Sequence, residues 1–174
     1  MYYCTFTCYK WIPLFDIVNG YDLVYKWFEV LRKAGHETVA YTIMPNHLHV
    51  ILFFPTNKFD LNKIIANAKR FLAYGIVKRL ETLGRRDLLD FLSNEVSPRE
   101  RKKGQLHKVF SDSFDAKGIY TDKFFNQKLN YIHLNPVRGK WRLVDDYRDY
   151  EHSSASFYEL GIVKHFRPFD FRTM

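Results

Sequence analysis

The chain is short of several things, and each shortage removes a class of protein. It has only two cysteines in 174 residues, Cys4 and Cys8, and no Cys-x-x-Cys pair. A zinc ribbon is therefore excluded. A strand would hold the two thiols about 13 Å apart, too far for a disulfide, so they read as reduced core residues of a cytoplasmic protein. No charged-then-apolar leader opens the sequence and no apolar run reaches 18 residues, which predicts neither a signal peptide nor a membrane span. Repeats, low-complexity tracts and Pro/Gly-rich linkers are also missing, so the expectation is one domain over residues 1–174. Acidic residues are in deficit: 19 Asp+Glu face 27 Lys+Arg, for a net charge of +8. A basic chain without a basic amphipathic helix favours a polyanion such as nucleic acid over a membrane surface.

What the chain has in abundance is apolar and aromatic residues, 47% and 18%, enough for a sizeable core. Residues 2–9 read as a strand of aromatic and β-branched residues. Residues 21–34 carry Leu23, Trp27, Val30, Leu31 and Ala34 at helical spacing. Residues 37–44 and 47–54 read as two strands joined by a Pro45-Asn46 turn. A long helical pattern runs from Asp60 to about Leu83. Leu88–Leu92 suggests a short helix, 97–104 an exposed basic loop, and Val109-Phe110 and Ile119-Tyr120 two short strands around a polar turn. Thr121 can cap a helix that stops at Asn135, because Pro136 disfavours helical geometry in the residue before it. Residues 153–160 suggest a last short helix. This order predicts an α+β, ferredoxin-like sandwich: an antiparallel sheet with helices packed on one face.

His47 and His49 are the most informative pair. Seven histidines in 174 residues predict about 0.3 His-x-His pairs by chance, so the motif needs company. Two apart on a strand, both imidazoles point to one face and can offer two neutral nitrogens to one divalent metal. Half-buried histidines bonded to backbone are the plainer alternative. Gln127, Tyr131 and Asn135 fall at four-residue steps on one face of the 121–135 helix, while Phe125, Leu129 and Ile132 face the core. The Tyr131 phenol can attack phosphorus, and the Asn135 amide oxygen can serve as a third ligand. Two imidazoles and an amide leave positions open for water and phosphate oxygens, which favours Mg²⁺ or Mn²⁺ over structural zinc. Lys69, Arg70, Lys78, Arg79, Arg138 and Lys140 are candidate DNA contacts. Their plainer reading is solvated helix faces.

Met44-Pro45-Asn46-His47-Leu48-His49-Val50-Ile51-Leu52 and Tyr131-Ile132-His133-Leu134-Asn135-Pro136-Val137-Arg138 together resemble the small single-tyrosine HUH transposases of bacterial insertion sequences, most closely the REP-associated branch. The resemblance spans roughly residues 1–160 and includes the Ser153-Ser154 pair. It implies a ferredoxin-like catalytic domain that cleaves and rejoins single-stranded, hairpin-containing DNA. His47, His49 and Asn135 would be the metal ligands. Tyr131 would be the nucleophile that becomes 5′-phosphotyrosine-linked. The aromatic that such proteins place before the tyrosine helix as tryptophan is Phe110 here, and Gly139-Lys140 follows Val-Arg where an alanine is usual. Two matters stay open at this level. One is whether a homodimer completes the site in trans. The other is whether the chain is a domesticated DNA-binding protein without strand transfer.

Overall fold

The computed structural model describes residues 1–139 and 141–173. The aromatic and β-branched run forms β1 (Tyr2–Thr7). A tight helical turn at Tyr9–Trp11 and the one-turn helix α1 (Leu14–Ile17) lead to α2 (Tyr21–Lys33). Strands β2 (Glu37–Met44) and β3 (His47–Phe53) form the expected hairpin about Pro45-Asn46. The long helix α3 (Leu61–Thr82) starts at Asp60, whose carboxylate accepts from the Lys63 amide as an N-cap. Two shorter helices, α4 (Arg86–Asn94) and α5 (Pro98–Arg101), follow. Then come β4 (Asp115–Gly118), α6 (Asp122–Leu134) and α7 (Ala155–Leu160).

The sheet order is β2-β3-β1-β4 with every neighbouring pair antiparallel. This is the ferredoxin-like arrangement, and the α+β fold expected from the sequence is present. Strand alternation assigns the two faces. Cys4, Phe6, Tyr41, Ile43, Leu48, Val50 and Leu52 turn to one side and pack with α2 and α3 in the main core. Tyr3 and Ile51 turn to the other and pack with Phe125 and Ile132 of α6, joined by both Val39 and Ala40 where the β2 register shifts between Thr38 and Ala40. The helices expected on one face are thus α2 and α3, and α6 is added across the opposite face. That second layer creates the site, because His47 and His49 lie on the α6 side.

Three segments differ from the sequence-based expectation. The strand expected at Ile119-Tyr120 lies earlier, at Asp115–Gly118, within the stretch read as a polar turn. It is an edge strand whose side chains are largely exposed, so it pairs through its backbone and shows no apolar alternation. Val109-Phe110 forms no strand, only an isolated bridge from Phe110 to Cys8. Phe110 instead packs edge-on against Phe6 at 5.4 Å in the core. The basic stretch 97–104 contains α5, started by a capping box in which Ser97 and Glu100 satisfy each other's backbone amides. Both cysteines are free and buried, as expected. No helix among the described residues is long and apolar enough to cross a membrane.

Candidate active site

Register sets the geometry. Thr7, His47 and Met44 are cross-strand partners, as are Thr5, His49 and Thr42. The two imidazoles therefore sit side by side on the central strand, ring centroids 4.6 Å apart, and are 6% and 4% exposed.

Each ring is oriented by a second residue. The Asn46 amide donates from Nδ2 to the Trp11 carbonyl at 2.9 Å, which turns its Oδ1 toward Nδ1 of His47 at 2.6 Å. An amide oxygen can only accept, so His47 carries its proton on Nδ1 and leaves Nε2 bare. His49 follows the same pattern. Thr5 Oγ1 donates to the Leu48 carbonyl at 3.2 Å and so accepts from Nδ1 of His49. The Tyr3 hydroxyl also lies 2.9 Å from that nitrogen. At the other end of the ring, Asn135 Nδ2 stands 3.1 Å from Nε2. An amide N–H needs an acceptor, so Nε2 of His49 is bare too. Outer contacts of this kind fix tautomer and ring orientation in metal-ligating histidines.

Helix α6 brings the remaining groups. Thr121 caps it by accepting from the Phe124 amide. Phe125 and Ile132 are buried, and the ring of His133 is tied to Ser154 Oγ at 2.9 Å. The 152–154 segment lies against the β2 edge, through Ile43 N to the His152 carbonyl, Ser154 N to the Tyr41 carbonyl, and Thr42 Oγ1 to Ser153 Oγ. Anchored this way, α6 turns Tyr131 and Asn135, one turn apart, toward the histidines. The Tyr131 ring lies 5.3 Å from that of His49 and 6.2 Å from that of Tyr3, and it is 44% exposed. Lys128, three residues earlier, holds its ammonium 4.5 Å over the Tyr3 ring and 5.6 Å over the Tyr131 ring. One chain supplies all of these groups.

The electrostatics suit neutral ligands. Burial holds His47 down to about 4 against an opposing contact with Asn135. Burial, then the charges of His47 and Lys128, holds His49 well below the usual imidazole value. Both rings stay uncharged at neutral pH, with lone pairs available. Among the described residues no cluster of three or more His, Cys, Asp or Glu gathers; the polar group that meets the imidazoles is the Asn135 amide. Two unprotonated imidazole nitrogens and an amide fit a divalent cation that keeps open positions, once rotation of the Asn135 amide puts Oδ1 where Nδ2 now donates to His49. Two phenols stand by this site, and they differ. Tyr3 is buried, which pushes its hydroxyl up to about 12. Tyr131 is open to an incoming substrate.

Of the basic residues singled out in the sequence, Lys69, Arg70 and Arg79 make bonds within the protein. Lys69 donates to the carbonyls of Ser111, Asp112 and Ser113 at 2.9, 3.2 and 2.8 Å. Burial lowers it to about 8, so it remains charged at neutral pH while pinning that loop. Arg79 ties α3 to the start of α2 through the Asn19 carbonyl and Asp22 at 2.7 Å. Arg70 reaches Asn67 on its own helix. Lys78 is on α3, and Arg138 is exposed just past Val137. Lys140 lies outside the described residues. Sequence reasoning missed Thr5, Tyr3, Asn46 and Lys128. Lys128 was accessible, being one turn before Tyr131 at i−3. Asn46 was read only as a turn residue, and the two β1 side chains depend on a strand pairing that no local pattern records.

No family model matches the chain. A Haemophilus influenzae protein named "Putative REP-associated tyrosine transposase" is 25% identical over 141 residues, covering 81% of this chain and 70% of that protein. Among solved structures, a REP-associated tyrosine transposase bound to a REP hairpin superposes with a TM-score of 0.63 at 18% identity, covering 97% of this chain and 85% of the other. The likeness read from the two motifs is met by one relative in sequence and by one in fold: the chain resembles the REP-associated tyrosine transposases.

Proposed function

We propose that this protein is a metal-dependent transposase that cleaves and rejoins single-stranded, hairpin-containing DNA through Tyr131. The observation that carries the reading is the convergence on His49 of the Asn135 amide, 3.1 Å from Nε2 at the end of α6, and of the Tyr131 ring, 5.3 Å from the imidazole, with His47 beside it. The hairpin substrate is suggested by the solved relative, which is bound to one.

His47, His49 and Asn135 would hold Mg²⁺ or Mn²⁺, which when bound supplies Lewis-acid polarisation of the scissile phosphate. The Tyr131 oxygen attacks phosphorus in line. The Tyr–O–P bond forms and the P–O3′ bond breaks. The phenolic proton is given up to solvent, and the departing 3′ oxygen is protonated to a free hydroxyl. The Lys128 ammonium, 5.6 Å over the Tyr131 ring, stands beside the attacking group as a positive charge for the scissile phosphate. Rejoining is the same exchange run backward, with a 3′-hydroxyl displacing the tyrosine. His47, His49, Tyr131 and Asn135 are close together within one chain, so the reading has the tyrosine act in cis.

The test is incubation of the full chain with a single-stranded hairpin DNA and Mg²⁺, followed by a denaturing gel. A covalent protein–DNA adduct that disappears in Tyr131→Phe is the expected result. Full adduct formation by that variant would remove Tyr131 as nucleophile. Hairpin binding with no adduct in either protein would make the chain a DNA-binding protein of the same fold.

A further inference from the structure

Beside the histidines, on the β4 side of the same face, a small cleft of about 190 Å³ opens. Its walls are Thr5 and Thr7 of β1, the ring of Trp11, and Ser113, Phe114 and Asp115. Thr5 and Thr7 are the cross-strand partners of His49 and His47, so the cleft is one strand removed from the two rings. Its volume falls below the roughly 300–1,000 Å³ of pockets for whole small ligands.

Trp11 is the unusual wall. An indole is normally buried, yet this one is 58% exposed. It is carried on backbone in the left-handed region, with φ of 48° at Lys10 and 59° at Trp11. Non-glycine residues adopt that region at a cost, and such strain gathers at functional sites. The conformation is held by Trp11 N donating to the Cys8 carbonyl at 3.0 Å and by Asn46 gripping the Trp11 carbonyl. The same Asn46 side chain orients His47, and the Trp11 ring meets the His47 ring edge-on at 5.7 Å. One buried amide thus fixes the indole and the candidate ligand relative to each other. The opposite wall is held by Lys69, which pins Ser111–Ser113.

Resting on the strand-transfer reading of the neighbouring site, we propose that this cleft receives one unpaired base flanking the cleaved phosphodiester. The base stacks on Trp11, and its polar edge meets Asp115, Thr7 and Ser113. A carboxylate on the rim repels phosphate and accepts hydrogen bonds from exocyclic amines, so the cleft takes the base of an amino-bearing nucleotide and not its backbone. Stacking on an exposed aromatic is the ordinary way proteins hold unpaired bases.

The test is binding of fluorescent hairpin DNA in EDTA, where strand cleavage does not intervene. An abasic residue is scanned through the positions flanking the cleavage point, with wild type, Trp11→Ala, Trp11→Phe and Asp115→Asn. In wild type, one abasic position weakens binding roughly tenfold. Trp11→Ala loses a similar factor on intact DNA and shows no further loss at that position. Trp11→Phe retains most of the affinity, and Asp115→Asn alters which base is preferred there. An abasic penalty that persists undiminished in Trp11→Ala would overturn the proposal, as would wild-type affinity in that variant. Adduct formation on intact hairpin DNA is scored separately, so loss of the cleft assignment is distinguishable from loss of the strand-transfer reading.

Discussion

The Asn135 amide stands 3.1 Å from Nε2 of His49, a residue 86 positions earlier in the chain. That contact joins the two motifs, one on a strand and one at a helix end, into a single site. It exists because α6 crosses the face of the sheet opposite α2 and α3.

The two phenols beside His49 have opposite expected behaviour. Tyr131→Phe lowers adduct formation by on the order of 10³-fold or more while leaving the fold intact, since the ring is half exposed. Tyr3→Phe keeps the adduct, because the buried Tyr3 hydroxyl supports the His49 ring and is pushed up to about 12. Mass-spectrometric mapping of the modified peptide decides between them. A phosphotyrosine at position 3 would reverse the assignment.

Asn46→Ala should act on the metal without removing a ligand. The variant frees Nδ1 of His47 to rotate or change tautomer, and the expected loss in Mn²⁺ affinity by calorimetry is about 10–100-fold. Asn46→Asp keeps an acceptor at the same place and should recover much of it. Equal affinities for wild type and Asn46→Ala would show that the tautomer is not held this way.

Ile132 is fully buried between α6 and the sheet. Ile132→Ala should cost about 2–5 kcal/mol in denaturant unfolding. A cost near zero would mean that α6 is not packed as described.

His152 stacks on Tyr21 at 3.6 Å and meets the Tyr25 hydroxyl at 3.0 Å, with Glu151, His165, Asp16 and Lys164 as its charged or titratable neighbours. Burial holds it down to about 4. The unfolded chain takes up that proton first, near the ordinary value of 6.5. The contribution is therefore complete above about pH 6.5 and is lost as pH falls toward 4. Urea midpoints measured between pH 6.5 and 5 should decline in wild type and decline less steeply in His152→Gln. Parallel slopes would refute the assignment.

Much of the site was legible in the sequence because its parts are local. The alternation of 37–44 and 47–54 about Pro45-Asn46 announces a hairpin, and Thr121 and Pro136 bracket the tyrosine helix closely. What joins the parts was not legible. Thr5 reaches His49 only through the pairing of β1 with β3. Asn46 serves as a turn residue and as a ring support at once, and only the first role has a local signature. Lys69 was read as a candidate DNA contact or a solvated helix residue; its half-buried bonds to three carbonyls of 111–113 depend on a loop 42 to 44 residues away and have no local signature. Asp115–Gly118 carried no apolar alternation, since an edge strand needs only its backbone to pair.

The segment 152–154 has a consequence for the company the protein keeps. By hydrogen-bonding along the outer side of β2, it occupies backbone groups through which another chain could zip onto the sheet. The far margin, β4, is four residues long and polar, a poor template for the same event. Both rims are thereby blunted against strand-by-strand stacking, one of the common routes from a soluble β-sheet to aggregates.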